Sequence, residues 1–110
     1  MPYPSVSDDG SAVVLDLHGA TVTHGIDLFV RALTLSHQRG RTTLKVIHGT
    51  STSEYSSDRR TIKHELIRTL ESGQHGSMIS SMYESDGYTI IGLQPGQVSS
   101  NKITLREIDN

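Results

Sequence analysis

The sequence predicts an α/β fold, a two-layer sandwich in which a β-α-β-α-β-β chain builds a mixed sheet with both helices on one face. Three observations lead there. Two aliphatic runs, "AVVLDLHG" from Ala12 and "TTLKVIHG" from Thr42, each end in His-Gly. Each is followed by apolar residues at helical spacing. After Gly76, two short apolar runs flank an Asp86-Gly87 pair.

The first run is rich in β-branched and aliphatic residues and reads as a buried strand closed by Gly19. Thr21 is a candidate N-cap, and Val22, Ile26, Phe29, Val30 and Leu33 form the stripe of an amphipathic helix that ends near Gly40. The second run repeats the strand. Asp58 can cap a second helix with Ile62, Leu66, Ile67 and Leu70 as its apolar face, and Gly73 suits the left-handed position beyond its end. "SMISSMYES" and "YTIIGLQ" then make a hairpin across Asp86-Gly87. "KITLREI" alternates apolar and polar residues as a C-terminal edge strand would. Two consecutive strand-helix-strand units imply parallel pairing. The organisation expected is therefore a flexible N-terminal extension over residues 1–11, a domain over 12–93, and a linker with an extra edge strand over 94–110.

The chain has 110 residues, the size of one domain, with 34% hydrophobic residues, one Phe and no Trp, so its core must rest on Val, Ile, Leu and Met. Without cysteine, disulfides and thiolate metal sites are excluded. No basic leader with an apolar core opens the chain, and no run approaches the ~18 apolar residues of a spanning helix. The expectation is a cytoplasmic protein without membrane contact. Formal charge is −3 over residues 1–36, +4 over 37–68 and −3 over 69–110. Positive charge thus clusters around the segment that leaves the second strand, which favours an anionic partner there.

Ligand sites in open α/β sheets collect beyond the carboxyl ends of parallel strands. Those ends carry Asp16, His18 and Gly19 in the first strand, and His48 and Gly49 in the second. Alternation sets Asp16 and His18 on the face away from Val13, Leu15 and Leu17, where the carboxylate can orient the imidazole for general acid-base work. The same alternation sets His48 with Leu44 and Val46, on the face opposite His18. The following segment is hydroxyl-rich: six of the eight residues from Thr50 to Ser57 are Ser or Thr, and Arg59 and Arg60 follow. Backbone N–H groups after Gly49, these hydroxyls and a helix N-terminus together can cradle a phosphate. A zinc site from Asp16, His18 and His48 lacks close ligand spacing, and no metal site is assigned.

In these residues the chain resembles the small MutS-related (Smr) domain family. "LDLHG" stands complete from Leu15 to Gly19, Thr21 begins the next helix, and Ile47 to Gly49 match the family's second motif. "TIKHELIRTL" and "GYTIIGL" resemble its later helix and strand, so the likeness spans about residues 12–93. The sequence departs from the pattern in having Ser51 where the second motif's second Gly belongs, and in a shortened "SDGYT" before the last strand.

The resemblance implies a two-layer fold related to the C-terminal domain of a bacterial translation initiation factor. It also implies an endonuclease or a nucleic-acid-binding module, with RNA, including messenger RNA on ribosomes, and DNA as substrates. Asp16, His18 and His48 are the expected catalytic residues. Gly49, Thr50, Ser51, Thr52, Ser53, Arg59, Arg60 and Lys63 are expected to meet phosphate. A divalent ion on Asp16 becomes a candidate cofactor if water, rather than a ribose hydroxyl, is the nucleophile. The alternative expectation is a nucleic-acid-binding module without turnover.

Overall fold

The computed structural model describes residues 4–48 and 62–109. Its elements are β1 (Ser5–Asp8), β2 (Ala12–Asp16), α1 (Val22–Gln38), β3 (Thr43–Ile47), α2 (Ile62–Glu71), a single 3-10 turn (Gly76–Met78), β4 (Ile79–Glu84), β5 (Tyr88–Leu93) and α3 (Leu105–Ile108). Five strands form one mixed sheet in the order β1-β2-β3-β5-β4.

Alternation along the strands sorts the side chains. Val13 and Leu15 of β2, Leu44 and Val46 of β3, and Thr89, Ile91 and Leu93 of β5 are buried, while the residues between them stay half-buried. Register aligns Val13 with Leu44 and Ile91 in one row, and Leu15 with Val46 and Thr89 in the next. Helix α1 starts where Thr21 accepts the His24 N–H through its side chain, at 3.1 Å. Its Leu28, Phe29, Ala32 and Leu33 enter the core, and Leu66 of α2 joins the same cluster. Gly73 ends α2 in the left-handed conformation expected of it, at φ 77°.

Three features differ from the sequence reading. Strands β2 and β3 pair in parallel, as expected, but β3 and β4 are not neighbours. The last strand, β5, inserts between them and pairs antiparallel with both, so the second strand-helix-strand unit straddles it. The N-terminal segment is not an extension: Ser5–Asp8 pairs antiparallel with β2 and supplies the fifth strand. The C-terminal edge strand is absent from the described residues, because the chain at Leu105–Ile108 is a short helix. Its start is a capping box between Thr104 and Glu107, and Ile103 and Ile108 are buried in the core.

A buried ion pair ties the two ends of the chain to the sheet. Arg41 Nε donates to Asp8 Oδ1 at 2.8 Å, with both side chains fully buried. Arg41 also donates to the carbonyls of Arg39 (2.8 Å), Ser99 (2.7 Å) and Asn101 (2.9 Å). Asp8 accepts the N–H of Gly10 at 2.8 Å and that of Ile103 at 2.8 Å. Nearby, Gly40 adopts φ 73°, and a Cβ there would lie 2.7 Å from the backbone of Gln97, so the tail can cross only because no side chain intervenes.

Burial pushes the Asp8 carboxyl up, but the Arg41 guanidinium and the Ile103 and Gly10 N–H groups outweigh it and hold Asp8 below its ordinary value. A carboxylate depressed in the folded state stabilises fully above its unfolded pKa of about 3.9, and that contribution disappears as pH falls through the lower folded value. Thermal melting should therefore hold its midpoint down to about pH 5 and fall below pH 4, and the acid-side slope should flatten in Asp8→Asn. At neutral pH, Asp8→Ala leaves a buried guanidinium without its anion and should cost about 3–5 kcal/mol in urea denaturation.

Candidate functional site

Strand β2 ends in a way that builds a small polar device. The parallel ladder continues one residue past the strand, with Leu17 N–H donating to Ile47 O at 2.9 Å. The chain then turns: Ala20 N–H donates to Leu17 O at 3.1 Å, and Gly19 takes φ 84°, a conformation that a side chain would strain. Within this turn Asp16 Oδ1 accepts twice from His18, from the backbone N–H at 3.0 Å and from the ring Nδ1 at 2.5 Å. A carboxylate only accepts, so in the neutral imidazole the proton sits on Nδ1 and the lone pair on Nε2. The imidazole is 57% exposed and the carboxylate 32%, which leaves the ring open to solvent.

His48, at the end of β3, is held differently. Its backbone N–H donates to Gly87 O at 3.1 Å, and its Nε2 lies 2.9 Å from the hydroxyl of buried Thr89. The contact with buried Thr89 puts the His48 ring on the core-facing side of the sheet. Asp16 and His18 thus form a pair, while His48 fastens the exit of β3 to β5. Among the described residues no three His, Asp or Glu side chains gather as a metal site requires.

The hairpin that closes this rim is tight. Ser85 N–H donates to Tyr88 O at 2.8 Å around Asp86-Gly87. Lys63, in the first turn of α2, brings its ammonium to 3.9 Å from Asp86 Oδ1. Gly49, Thr50, Ser51, Thr52, Ser53, Arg59 and Arg60, together with the expected helix cap Asp58, lie outside the described residues.

The positive charge of the middle segment does not all gather at this rim. Arg41 is buried on Asp8, and Arg39 is paired with Glu107, both beside the entry of β3 rather than its exit. The Arg39 guanidinium donates to both Glu107 oxygens and holds that carboxyl below its usual range. A count along the chain could not see this, because the partners are 33 and 68 residues away. Sequence reasoning also missed Thr89 and Tyr88. Their signal was present in the alternation of "YTIIGL", which sets Thr89 inward and Tyr88 outward.

Comparison of the chain with protein-family models, with curated proteins and with solved structures finds no match.

Two outcomes test this geometry. Nitrogen NMR of neutral His18 should report Nδ1 protonated, and Asp16→Asn should move the tautomer balance toward Nε2. Thr89→Val removes the buried hydroxyl that meets His48 Nε2 and should cost about 1–3 kcal/mol in urea denaturation, whereas Thr89→Ser should recover most of it.

Proposed function

We propose that this chain is an Smr-like endonuclease that cuts RNA, with His18 as the proton-transfer group. One observation carries the reading: the His18 imidazole is exposed at the carboxyl end of a parallel strand pair, with Nδ1 on the Asp16 carboxylate at 2.5 Å. That arrangement leaves Nε2 as a base directed to solvent, the requirement for taking a proton from a substrate hydroxyl. The ribose 2′-hydroxyl is the nucleophile. His18 Nε2 accepts its proton, the 2′-oxygen bonds to phosphorus, and the bond from phosphorus to the 5′-oxygen breaks. The 5′-oxygen leaves with a proton from water, and the products are a 2′,3′-cyclic phosphate and a 5′-hydroxyl.

Asp16 keeps the ring in the useful tautomer and stabilises the imidazolium that forms. Lys63, at the same rim, is the described cation best able to meet phosphoryl charge, exchanging its longer contact with Asp86 for the substrate. The sequence expectation assigns the remaining phosphate contacts to Gly49 through Ser53 and to Arg59 and Arg60. His48 serves as an anchor for the start of that segment.

A second reading, a nucleic-acid-binding module without turnover, draws on the same geometry. His48 is occupied by Thr89, and Arg39 and Arg41 are neutralised elsewhere, so the dyad stands with fewer helpers than the sequence promised. Incubation of the protein with single-stranded and duplex RNA and DNA, with and without EDTA, separates the two. His18→Ala should lower RNA cleavage by at least about 10²-fold while leaving binding within a few-fold. Binding should weaken steeply as salt rises. Failure of the parent protein to cleave any of these substrates, with binding retained, would leave only the binder.

A further inference from the structure

The sheet face that carries Asp16 is not the face that packs the core. Strand register assembles it in rows. One row runs from Val14 through Lys45 and Ile90 to Tyr83, and the next from Asp16 through Ile47 to Tyr88. Tyr83 is 59% exposed, and Tyr88, on the neighbouring strand and offset diagonally from it, is within aromatic reach. Lys45 holds its ammonium 4.5 Å from the centroid of the Tyr88 ring. In the register-paired rows of this face Lys45 is the sole cation and Asp16 the sole carboxylate, and Asp16 is turned to His18.

We infer that this open face is a stacking platform for unpaired nucleotide bases, with Tyr88 as its principal ring, Tyr83 as a second, and Lys45 as its phosphate contact. The inference rests on the nucleic-acid reading above and specifies its substrate class as single-stranded. Three features on the page converge on that occupant. Tyrosine rings offer π-faces on which any base can stack, whereas bases inside a duplex are already covered by their neighbours. The charge on the face is a cation beside a ring, the combination that suits a base with its phosphate attached. The face is also continuous with the dyad: Tyr88 lies two strands from Asp16 in the same row, about 10 Å at ordinary strand spacing. A base on Tyr88 thus belongs to a nucleotide flanking the phosphate presented to His18. The ammonium that covers the ring in the free protein is the group that moves onto the incoming phosphate.

The test uses the His18→Ala chain, so that oligonucleotides stay intact, titrated with a fluorescein-labelled 12-mer as single-stranded RNA, as single-stranded DNA and as duplex RNA. Adding Tyr88→Ala should weaken both single strands by about ten-fold and leave the duplex unchanged, while Tyr88→Phe should stay within about two-fold on all three. The chain has no Trp, so tyrosine emission gives a second readout independent of the alanine variant's folding. Single-strand binding should quench it, and Tyr88→Phe should remove part of that quench. Equal weakening of single strand and duplex, or an unchanged affinity together with an unchanged quench, would overturn the platform. The two readings fail separately. Cleavage by the parent protein with no Tyr88 dependence rejects the platform alone, Tyr88-dependent binding without cleavage rejects the nuclease alone, and absence of any binding rejects both.

Discussion

A carboxylate and a guanidinium that meet inside the protein hold three distant stretches of chain in one place. Asp8 closes β1, Arg41 stands two residues before β3, and the carbonyls of Ser99 and Asn101 with the N–H of Ile103 belong to the tail. Taking two ions out of water is costly, and their mutual attraction offsets that cost only when the remaining donors and acceptors are satisfied. Here both Asp8 oxygens accept hydrogen bonds, and Arg41 reaches three carbonyls beside its anion. An apolar pair could fill the same space, yet it could not dictate which carbonyl of a polar, irregular tail sits where. The pair therefore acts on specificity: it selects one path for the tail, and with it the seating of Ile103 and Ile108 in the core.

The two rims of the sheet use the same chemistry to opposite ends. Beside the entry of β3, charge is buried, paired and surrounded by backbone acceptors, an arrangement that resists change. At the exits of β2 and β3, the Asp16–His18 pair is exposed and local, formed across a two-residue turn. A local pair needs little tertiary support to keep its geometry, since the strand end and Gly19 already dictate it. Its ring nitrogen can then face solvent without endangering the fold, which is what a group that must exchange protons with a ligand requires.

Local signals carried most of the architecture into the sequence. The His-Gly strand ends, the Thr21 cap, the apolar stripe of α1 and the Asp86-Gly87 hairpin are each determined by residues within a few positions of one another, so each was legible. The tail was not. "KITLREI" satisfies a period of two, but Thr104-Leu-Arg-Glu107 also has the capping-box pattern, and the helical turn prevails: Glu107 accepts the Thr104 N–H at 3.1 Å while Ile103 and Ile108 are buried in the core. Strand β1 was missed because "SVSD" carries a single aliphatic residue, Val6, and shows no apolar period of its own; it becomes a strand by pairing with β2. The charge distribution misled because the acids that pair with Arg41 and Arg39 stand 33 and 68 residues away. The dyad was legible as a motif, whereas the role of His48 turned on Thr89, whose neighbourhood only the sheet order reveals.

That sheet order turns on β5. It is the last strand along the chain, yet it lies between β3 and β4, and the residue before it, Gly87, accepts the His48 N–H at the rim of the candidate site. Because its side chains alternate, its inward residue Thr89 fixes His48, and its outward residue Tyr88 stands beside Lys45 on the open face. One six-residue strand thus joins the anchor of the segment beyond β3 to the ring two strands from Asp16. A slip of one residue in its register would exchange these assignments, exposing Ile91 and burying Tyr88. The core and the candidate site consequently share one constraint, and the buried Thr89–Ile91–Leu93 face that stabilises β5 is also what aims Tyr88 outward.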